Sequence, residues 1–248
     1  MTRRSLASIA LLATLLAGCG ASPEERRAAE AAAVAAQAAA LEAKLAPTLQ
    51  LYREAKARDD AALAVASAEV ILADGPGTPA AAEVSEGLEA LRKRAAEQRE
   101  GARLAALWSY VSTPIAGERT PQKAASMRNL RPAEDDAGSF EVVPTVQLVL
   151  RNDPRWGQSV YLVIEEGAFT CGRPCAFTIR FDDAAPKRFA GKASSTGTRP
   201  ALFIQDDRGF IHALDAAGTV EIAPVDGSSA PIRFETGGYD AVRYSTGA

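Results

Sequence analysis

The sequence predicts an α+β protein in which an N-terminal helical part is followed by an antiparallel β-sandwich. Three observations support this fold class. The first part of the chain is rich in alanine, and Tyr52 is the only aromatic residue before Trp108. The second part carries all the other aromatic residues, together with frequent glycine and proline. In that second part apolar and polar residues alternate with a period of two, as in half-buried strands.

The chain begins with a segment typical of a bacterial lipoprotein signal. Two arginines precede an apolar run from Leu6 to Leu16, and Leu16-Ala17-Gly18-Cys19 follows as a lipobox. A run of about 11 apolar residues is too short to cross a bilayer, which takes about 20. We therefore expect residues 1–18 to be removed as a signal peptide and Cys19 to carry the lipid.

The lipid on Cys19 predicts a protein held at a membrane of the bacterial envelope, because two or more acyl chains give stable anchoring. Residue 20 is Gly instead of Asp. By the sorting pattern of enteric bacteria this favours the outer membrane, with the protein facing the periplasm. The formal net charge of −3 becomes −5 once the two arginines are removed. Such a chain lacks the basic stripe typical of nucleic-acid binding.

Residues 19–105 are expected to form an Ala-rich helical stem and hairpin. Ser22-Pro23-Glu24-Glu25 combines an N-cap, a proline at the first helical position and a capping box. The alanine tract after it favours a helix, with a disordered tether as the alternative. Pro47 predicts a kink or a restart of this helix.

Two further helices are predicted in the same part of the chain. One begins at Asp59 or Asp60 and ends at the turn cluster 74–79, and the other runs from about 80 to 107. The three helices together are similar to a tetratricopeptide hairpin with a capping helix. A single unit of this kind cannot form a solenoid.

Residues 106–248 are expected to form the β-sandwich domain. In residues 146–151, for example, the apolar Val146, Leu148 and Leu150 alternate with Gln147, Val149 and Arg151. Strands this short and this closely spaced predict an antiparallel sandwich or a partly open barrel. The predicted strands are 107–112, 123–128, 146–151, 159–165, 177–182, 188–192, 201–205, 220–224 and 232–235. A helical turn or two is predicted at 208–214.

Four segments of this second part resemble the C-terminal β-domain of uncharacterised proteobacterial lipoproteins and periplasmic proteins. They are Trp108-Ser109-Tyr110, the Gly-Ala-Phe-Thr-Cys run at 167–171, Arg180-Phe181-Asp182-Asp183, and the Leu-Phe-Ile-Gln-Asp run at 202–206. More distantly, they are similar to the accessory lipoproteins of type VI secretion and to the invasion-associated locus B proteins. The resemblance covers roughly residues 108 to 244. It implies a β-sandwich, an envelope location and no enzyme activity.

Cys171 and Cys175 are the two thiols that remain once Cys19 carries a lipid. The bacterial envelope oxidises thiols, so a disulfide bond between them is expected. Redox-active pairs have two intervening residues at a helix N-terminus, whereas three residues separate this pair and its flanks predict strands. A structural disulfide is therefore the preferred interpretation, with a redox pair, a metal site or free thiols as alternatives.

The remaining candidates for chemistry are weaker. His212 is the only histidine, and the chain has no Gly-x-Ser-x-Gly turn, so His212 is interpreted as a surface or packing residue. The acid pairs Asp182-Asp183 and Asp206-Asp207 lie at strand ends. Such pairs hold a cation or serve acid–base chemistry in some proteins, but at turns they are usually solvated or cap backbone amides. Trp156 either covers the edge of the core or stands exposed as a binding anchor.

The leading hypothesis is a non-catalytic envelope lipoprotein. It would be anchored through Cys19, would bind or scaffold another envelope or secretion protein, and would need no cofactor or metal. The alternative is a small ligand- or cation-binding sandwich or a hydrolase that uses the acid pairs and Trp156.

Overall fold

The protein is described by a computed structural model that covers residues 22–130, 145–165, 174–194, 201–224 and 231–245. Within these residues it is an α+β protein with six helices and one nine-stranded antiparallel sheet. The chain divides into two compact units between Lys93 and Arg94, which we call the helical unit and the sheet unit. The helices are α1 (Pro23–Ala57), α2 (Ala61–Asp74), α3 (Pro79–Ser85), α4 (Leu88–Ala106), α5 (Asp207–Leu214) and α6 (Ala241–Tyr244).

Helix α1 begins at the predicted capping box. The Ser22 hydroxyl accepts a hydrogen bond from the Glu25 amide at 3.2 Å, and the Glu25 carboxylate accepts one from the Ser22 amide at 2.6 Å. The helix continues through Pro47 without a restart. Because Leu45 and Leu49 on either side pack in the core of the helical unit, the turns around Pro47 are held even though the proline has no amide to donate. Residues 22–40 are exposed throughout.

The core of the helical unit forms where the second half of α1 meets α2 and α3. Alanines at this contact, such as Ala55, Ala64 and Ala68, are fully buried, and their small side chains let the helices approach closely. Larger buried residues, including Leu45 and Ile71, fill the space between them. The start of α2 agrees with the prediction, since the Asp60 carboxylate accepts the Leu63 amide at 3.0 Å.

The single helix predicted for residues 80–107 is wrong, since two helices, α3 and α4, occupy this stretch. Gly87 between them has a φ of +76°, and a left-handed residue cannot continue a right-handed helix. The predicted domain boundary near residue 105 lies at the end of α4, whereas the two units divide within this helix. The last turns of α4 belong to the sheet unit, where Arg103 pairs with Glu235 of the last strand at 2.9 Å.

Each of the nine predicted strands is present in the sheet unit. All neighbouring strands are antiparallel, in the order β1-β2-β3-β4-β7-β6-β5-β8-β9. The strands are β1 (Ser109–Thr113), β2 (Gln122–Arg128), β3 (Val146–Asp153), β4 (Gly157–Ile164), β5 (Ala176–Phe181), β6 (Lys187–Ala193), β7 (Ala201–Ile204), β8 (Thr219–Pro224) and β9 (Ile232–Glu235).

The sheet is continuous and curls around one core. Strand β6 belongs to both halves of the sheet, because Phe189 pairs with β5 whereas Lys192 pairs with β7. The amide of Leu130, just after β2, donates to the Arg233 carbonyl of β9 at 2.8 Å, which brings the two ends of the sheet together. Inward-facing residues of β2 to β9 therefore share a single apolar cluster.

Two short helices complete the sheet unit. Helix α5 agrees with the helical turn predicted at 208–214, and it inserts Phe210 and Leu214 into the core. Helix α6 occupies part of the C-terminal stretch of the resemblance. It begins at Asp240, whose carboxylate accepts the amides of Val242 and Arg243 at 2.9 and 3.0 Å.

Candidate functional site

The outer face of the sheet carries a row of side chains that combines one arginine with three aromatic rings. The row consists of Arg151 on β3, Trp156 in the β3–β4 turn, Tyr161 on β4 and Phe203 on β7, and we call it the arginine–aromatic surface. The strands alternate, and the core cluster contains the residues on both sides of Tyr161 and of Phe203 as well as Leu150 before Arg151. In the sheet register Tyr161 lies directly opposite Phe203.

The Arg151 guanidinium lies between two of these rings. Its central carbon is 5.7 Å from the centre of the Trp156 ring and 5.7 Å from the centre of the Tyr161 ring. The Tyr161 and Phe203 rings follow, with centres 5.0 Å apart and planes inclined at 40°. Both arginine contacts are within the range of cation–π attraction. The four side chains thus form a continuous surface across three strands.

The β3–β4 turn holds Trp156 away from the core. The buried carboxylate of Asp153 accepts the amides of Arg155 and Trp156, at 2.8 and 3.3 Å. Gly157 follows with a φ of +76°, a conformation that glycine adopts without strain. On the other side of the turn the Arg155 guanidinium pairs with Glu118 at 3.2 Å. Trp156 is 73% exposed, so it does not cover the core, and its role as a binding anchor stays a prediction.

The charge of Arg151 has no carboxylate partner among the described residues. Its Nε atom is shielded from solvent and makes no hydrogen bond there, and the same is true of the Ser159 hydroxyl directly opposite on β4. Burial raises the pKa of the Tyr161 phenol and the Arg151 guanidinium opposes this shift, so the phenol stays protonated at neutral pH. Because Nε is shielded, a ligand would reach only the two terminal nitrogens of the guanidinium, which likewise make no hydrogen bond within the described residues. The surface therefore offers these terminal donors beside neutral aromatic faces.

Three of the four carboxylates of the predicted acid pairs accept backbone amides. Asp182 has a φ of +47°, and its carboxylate accepts the amides of Gly218 and Thr219 at 3.2 and 2.7 Å. Asp206 caps α5 by accepting the Gly209 amide at 3.0 Å. Asp207, in the first turn of α5, accepts the Arg208 amide, and Asp183 lies exposed in the turn after β5.

No group of three or more histidine, cysteine, aspartate or glutamate side chains in the described parts of the chain is arranged to hold a metal ion. His212 is exposed on α5, as expected for a surface residue. Asp182, Asp206 and Asp207 thus accept backbone amides in turns and at the start of α5.

The predicted cysteine sites lie mostly outside the described residues. Cys175 is disulfide-bonded, just before β5. Cys171 and Cys19 lie outside the described residues, so the Cys171–Cys175 pairing and the lipidation of Cys19 remain predictions. None of the helices that the structure describes is both long and apolar enough to cross a membrane.

No protein-family model, curated protein or solved structure matches this chain. The resemblance to envelope lipoproteins therefore remains a prediction.

Sequence reasoning identified Trp156 but missed the other three members of the arginine–aromatic surface. Arg151, Tyr161 and Phe203 occupy outward positions of the predicted strands, where any residue type is tolerated. The signal available in the sequence was an aromatic residue at an outward position on two strands, since such positions are usually polar. These side chains are close together because the strands lie in the order β3-β4-β7. The alternation of apolar and polar residues does not predict this order.

Proposed function

We propose that this chain is a lipid-anchored protein of the bacterial envelope that catalyses no reaction and binds a protein partner through the arginine–aromatic surface. One observation carries the binding role: Arg151 lies between two aromatic rings on an outer sheet face without a carboxylate partner in the described residues. Arginine, tyrosine and tryptophan are the residue types that dominate the energetics of protein interfaces. The lipobox at residues 16–19 supports the anchor.

In this proposal the two units have separate roles. The exposed first half of α1 spans about 27 Å, at 1.5 Å per residue, and spaces the packed helices from the bilayer. The helices of the helical unit form a hairpin of tetratricopeptide type in this proposal. The curled sheet is a sandwich-type domain that binds the partner. The lipid on Cys19 holds the protein at the periplasmic face of the outer membrane.

The alternative of a cation-binding site or a hydrolase has no supporting observation. The carboxylates of Asp182 and Asp206 already accept backbone amides of neighbouring segments. These hydrogen bonds shape the loop before β8 and the start of α5, which accounts for both carboxylates without a cation. We therefore keep a single proposed function.

Replacing Cys19 with alanine is expected to leave the protein without a lipid and with its signal segment uncleaved. Without the thiol no diacylglycerol is attached, and lipoprotein signal peptidase no longer cleaves the chain. Metabolic labelling with palmitate should mark the wild type but not C19A. The control is Cys175→Ala, which removes a cysteine outside the lipobox and should keep the label. Palmitate labelling of C19A would contradict the anchor.

The binding role is tested by photo-crosslinking in living cells. Benzoylphenylalanine placed at position 203 sits in the row of rings, and illumination should link it to a discrete protein partner. The matched control is the same amino acid at position 242, where valine is 81% exposed on α6. A discrete adduct at 203 and none at 242 is expected. Identical adducts at both positions, or no adduct at 203, would refute binding at this surface.

A further inference from the structure

We propose that the arginine–aromatic surface binds an extended, acidic segment of the partner protein, with one carboxylate on Arg151 and a second on Lys192. This inference rests on the proposed function and specifies the chemistry of its partner. A guanidinium with unused donors binds a carboxylate in the paired geometry that makes such hydrogen bonds strong. The flanking Trp156 and Tyr161 rings restrict the arginine, so little conformational freedom is lost on binding.

The charge of this face favours an acidic partner. On the outer side of strands β2, β3, β4, β7 and β6 the described basic residues are Arg128, Arg151, Arg188 and Lys192. Apart from the buried turn residue Asp153, the carboxylate at this face is that of Glu165, which pairs with Arg128 at 3.2 Å. The chain as a whole has a formal net charge of −3, so this face is basic on an acidic protein.

The spacing of the two cations favours an extended chain. Arg151 on β3 and Lys192 on β6 are separated by three strand intervals, about 14 Å, and by two residues along the strands, because Arg151 lies opposite Ser159 whereas Lys192 lies in the row of Tyr161 and Phe203. The two steps combine to about 16 Å. Lys192 is exposed and lies directly opposite Phe203 in the register. Four residues of an extended peptide span about 13 Å, and alternate side chains point to the same side. The long, flexible Lys192 side chain covers the remaining difference of about 3 Å, so that acidic residues at i and i+4 would reach both cations.

The Tyr161 and Phe203 rings, which lie between Arg151 and Lys192, favour an apolar residue in the middle of the bound peptide. A peptide that runs from Arg151 to Lys192 places its i+2 side chain over Tyr161 and Phe203, whose centres are 5.0 Å apart. An apolar side chain there would bury ring surface that is now partly exposed. The expected motif is acidic–x–apolar–x–acidic. An anionic bilayer, by contrast, is recognised by four to eight clustered basic residues, and the four on this face are spread over several strands.

The test is selection from a displayed library of short random peptides on the full-length chain purified in detergent. Enriched peptides should carry aspartate or glutamate at i and i+4 with an apolar residue at i+2. Affinity for an enriched peptide should fall about 30-fold in Arg151→Met, which removes the paired contact. Arg208→Met is the matched control, because it removes an exposed arginine of α5 outside the surface, and it should leave affinity unchanged.

A second variant keeps the test decisive if Arg151→Met lowers stability. Lys192→Met changes an exposed side chain at the end of the row, and it should selectively abolish the preference for the acid at i+4. Enriched peptides without acidic residues, unchanged affinity in both variants, or preferential binding of polygalacturonate or of anionic phosphatidylglycerol vesicles would each overturn the inference. If any of these results is obtained while crosslinking at position 203 still yields a protein partner, the proposed binding function stands. Only the inference that the bound segment is acidic is then wrong.

Discussion

Replacing Phe210 with alanine is expected to lower the free energy of unfolding of the sheet unit by about 3–5 kcal/mol. The Phe210 side chain is 0% exposed. Its ring centre lies 5.4 Å from that of Phe181 and 6.3 Å from that of Phe189, both in edge-on arrangements. The strands that carry these two rings are held by ladder hydrogen bonds, so they cannot move inward to fill the cavity.

Tryptophan fluorescence during urea denaturation measures this effect in the intact chain. Both tryptophans, Trp108 and Trp156, lie in the sheet unit, so the signal reports that unit. Val242→Ala is the control, because an 81% exposed side chain should contribute less than about 0.5 kcal/mol. Equal effects of the two substitutions would show that α5 does not contribute to the core as described.

Gly238→Ala is expected to cost about 3 kcal/mol of stability, although it adds only one methyl group. A Cβ atom at Gly238 would overlap the backbone of Leu104 and Ala105 at the end of α4. Backbone cannot rotate away as a flexible side chain does. The turn after β9 is also tied down, because the Gly237 amide donates to the Gly218 carbonyl at 3.1 Å. Accommodation of the methyl group therefore requires the end of α4 and this turn to separate.

Gly101→Ala, within α4, is expected to have the opposite effect and to raise stability slightly. No atom lies within 4 Å of a Cβ built at Gly101, and alanine is preferred to glycine in a helix interior by about 0.5–1 kcal/mol. Thermal melting followed by tryptophan fluorescence should show a lower Tm for G238A and a slightly higher Tm for G101A. A G238A protein as stable as the wild type would rule out the close contact with α4.

The contrast between α2 and the α3–α4 stretch shows what local sequence predicts about helices. Asp60 and the turn cluster after residue 74 are strong end signals, and α2 begins and ends where they indicate. The predicted third helix contains Gly87, and glycine inside a helical pattern is compatible either with a costly helical residue or with a left-handed break. The residues before and after Gly87 have a helical pattern in both cases. The sequence alone therefore does not distinguish one continuous helix from two helices.

The candidate site shows the same limit for side chains that are distant in sequence. Trp156 was recognised because its turn, Asn-Asp-Pro-Arg-Trp-Gly, is itself a local signal. Phe203 contacts Tyr161 because β7 lies between β4 and β6 and pairs with both strands. The role of Asp182 also depends on distant segments, since its carboxylate accepts the amides of Gly218 and Thr219 at the start of β8.

The sequence by itself determined the α+β class, the positions of the nine strands, the capped starts of α1 and α2, and the lipobox that predicts the anchor. These properties depend on alternation, capping and turn chemistry, which act between residues close in the chain. Only the tertiary structure decided the strand order, the break at Gly87 between α3 and α4, and the assembly of Arg151, Trp156, Tyr161 and Phe203. The strand order and the assembled surface depend on contacts between segments far apart in the chain, and the break depends on one backbone angle. The free energy of each arrangement is set by the whole core and not by any local pattern.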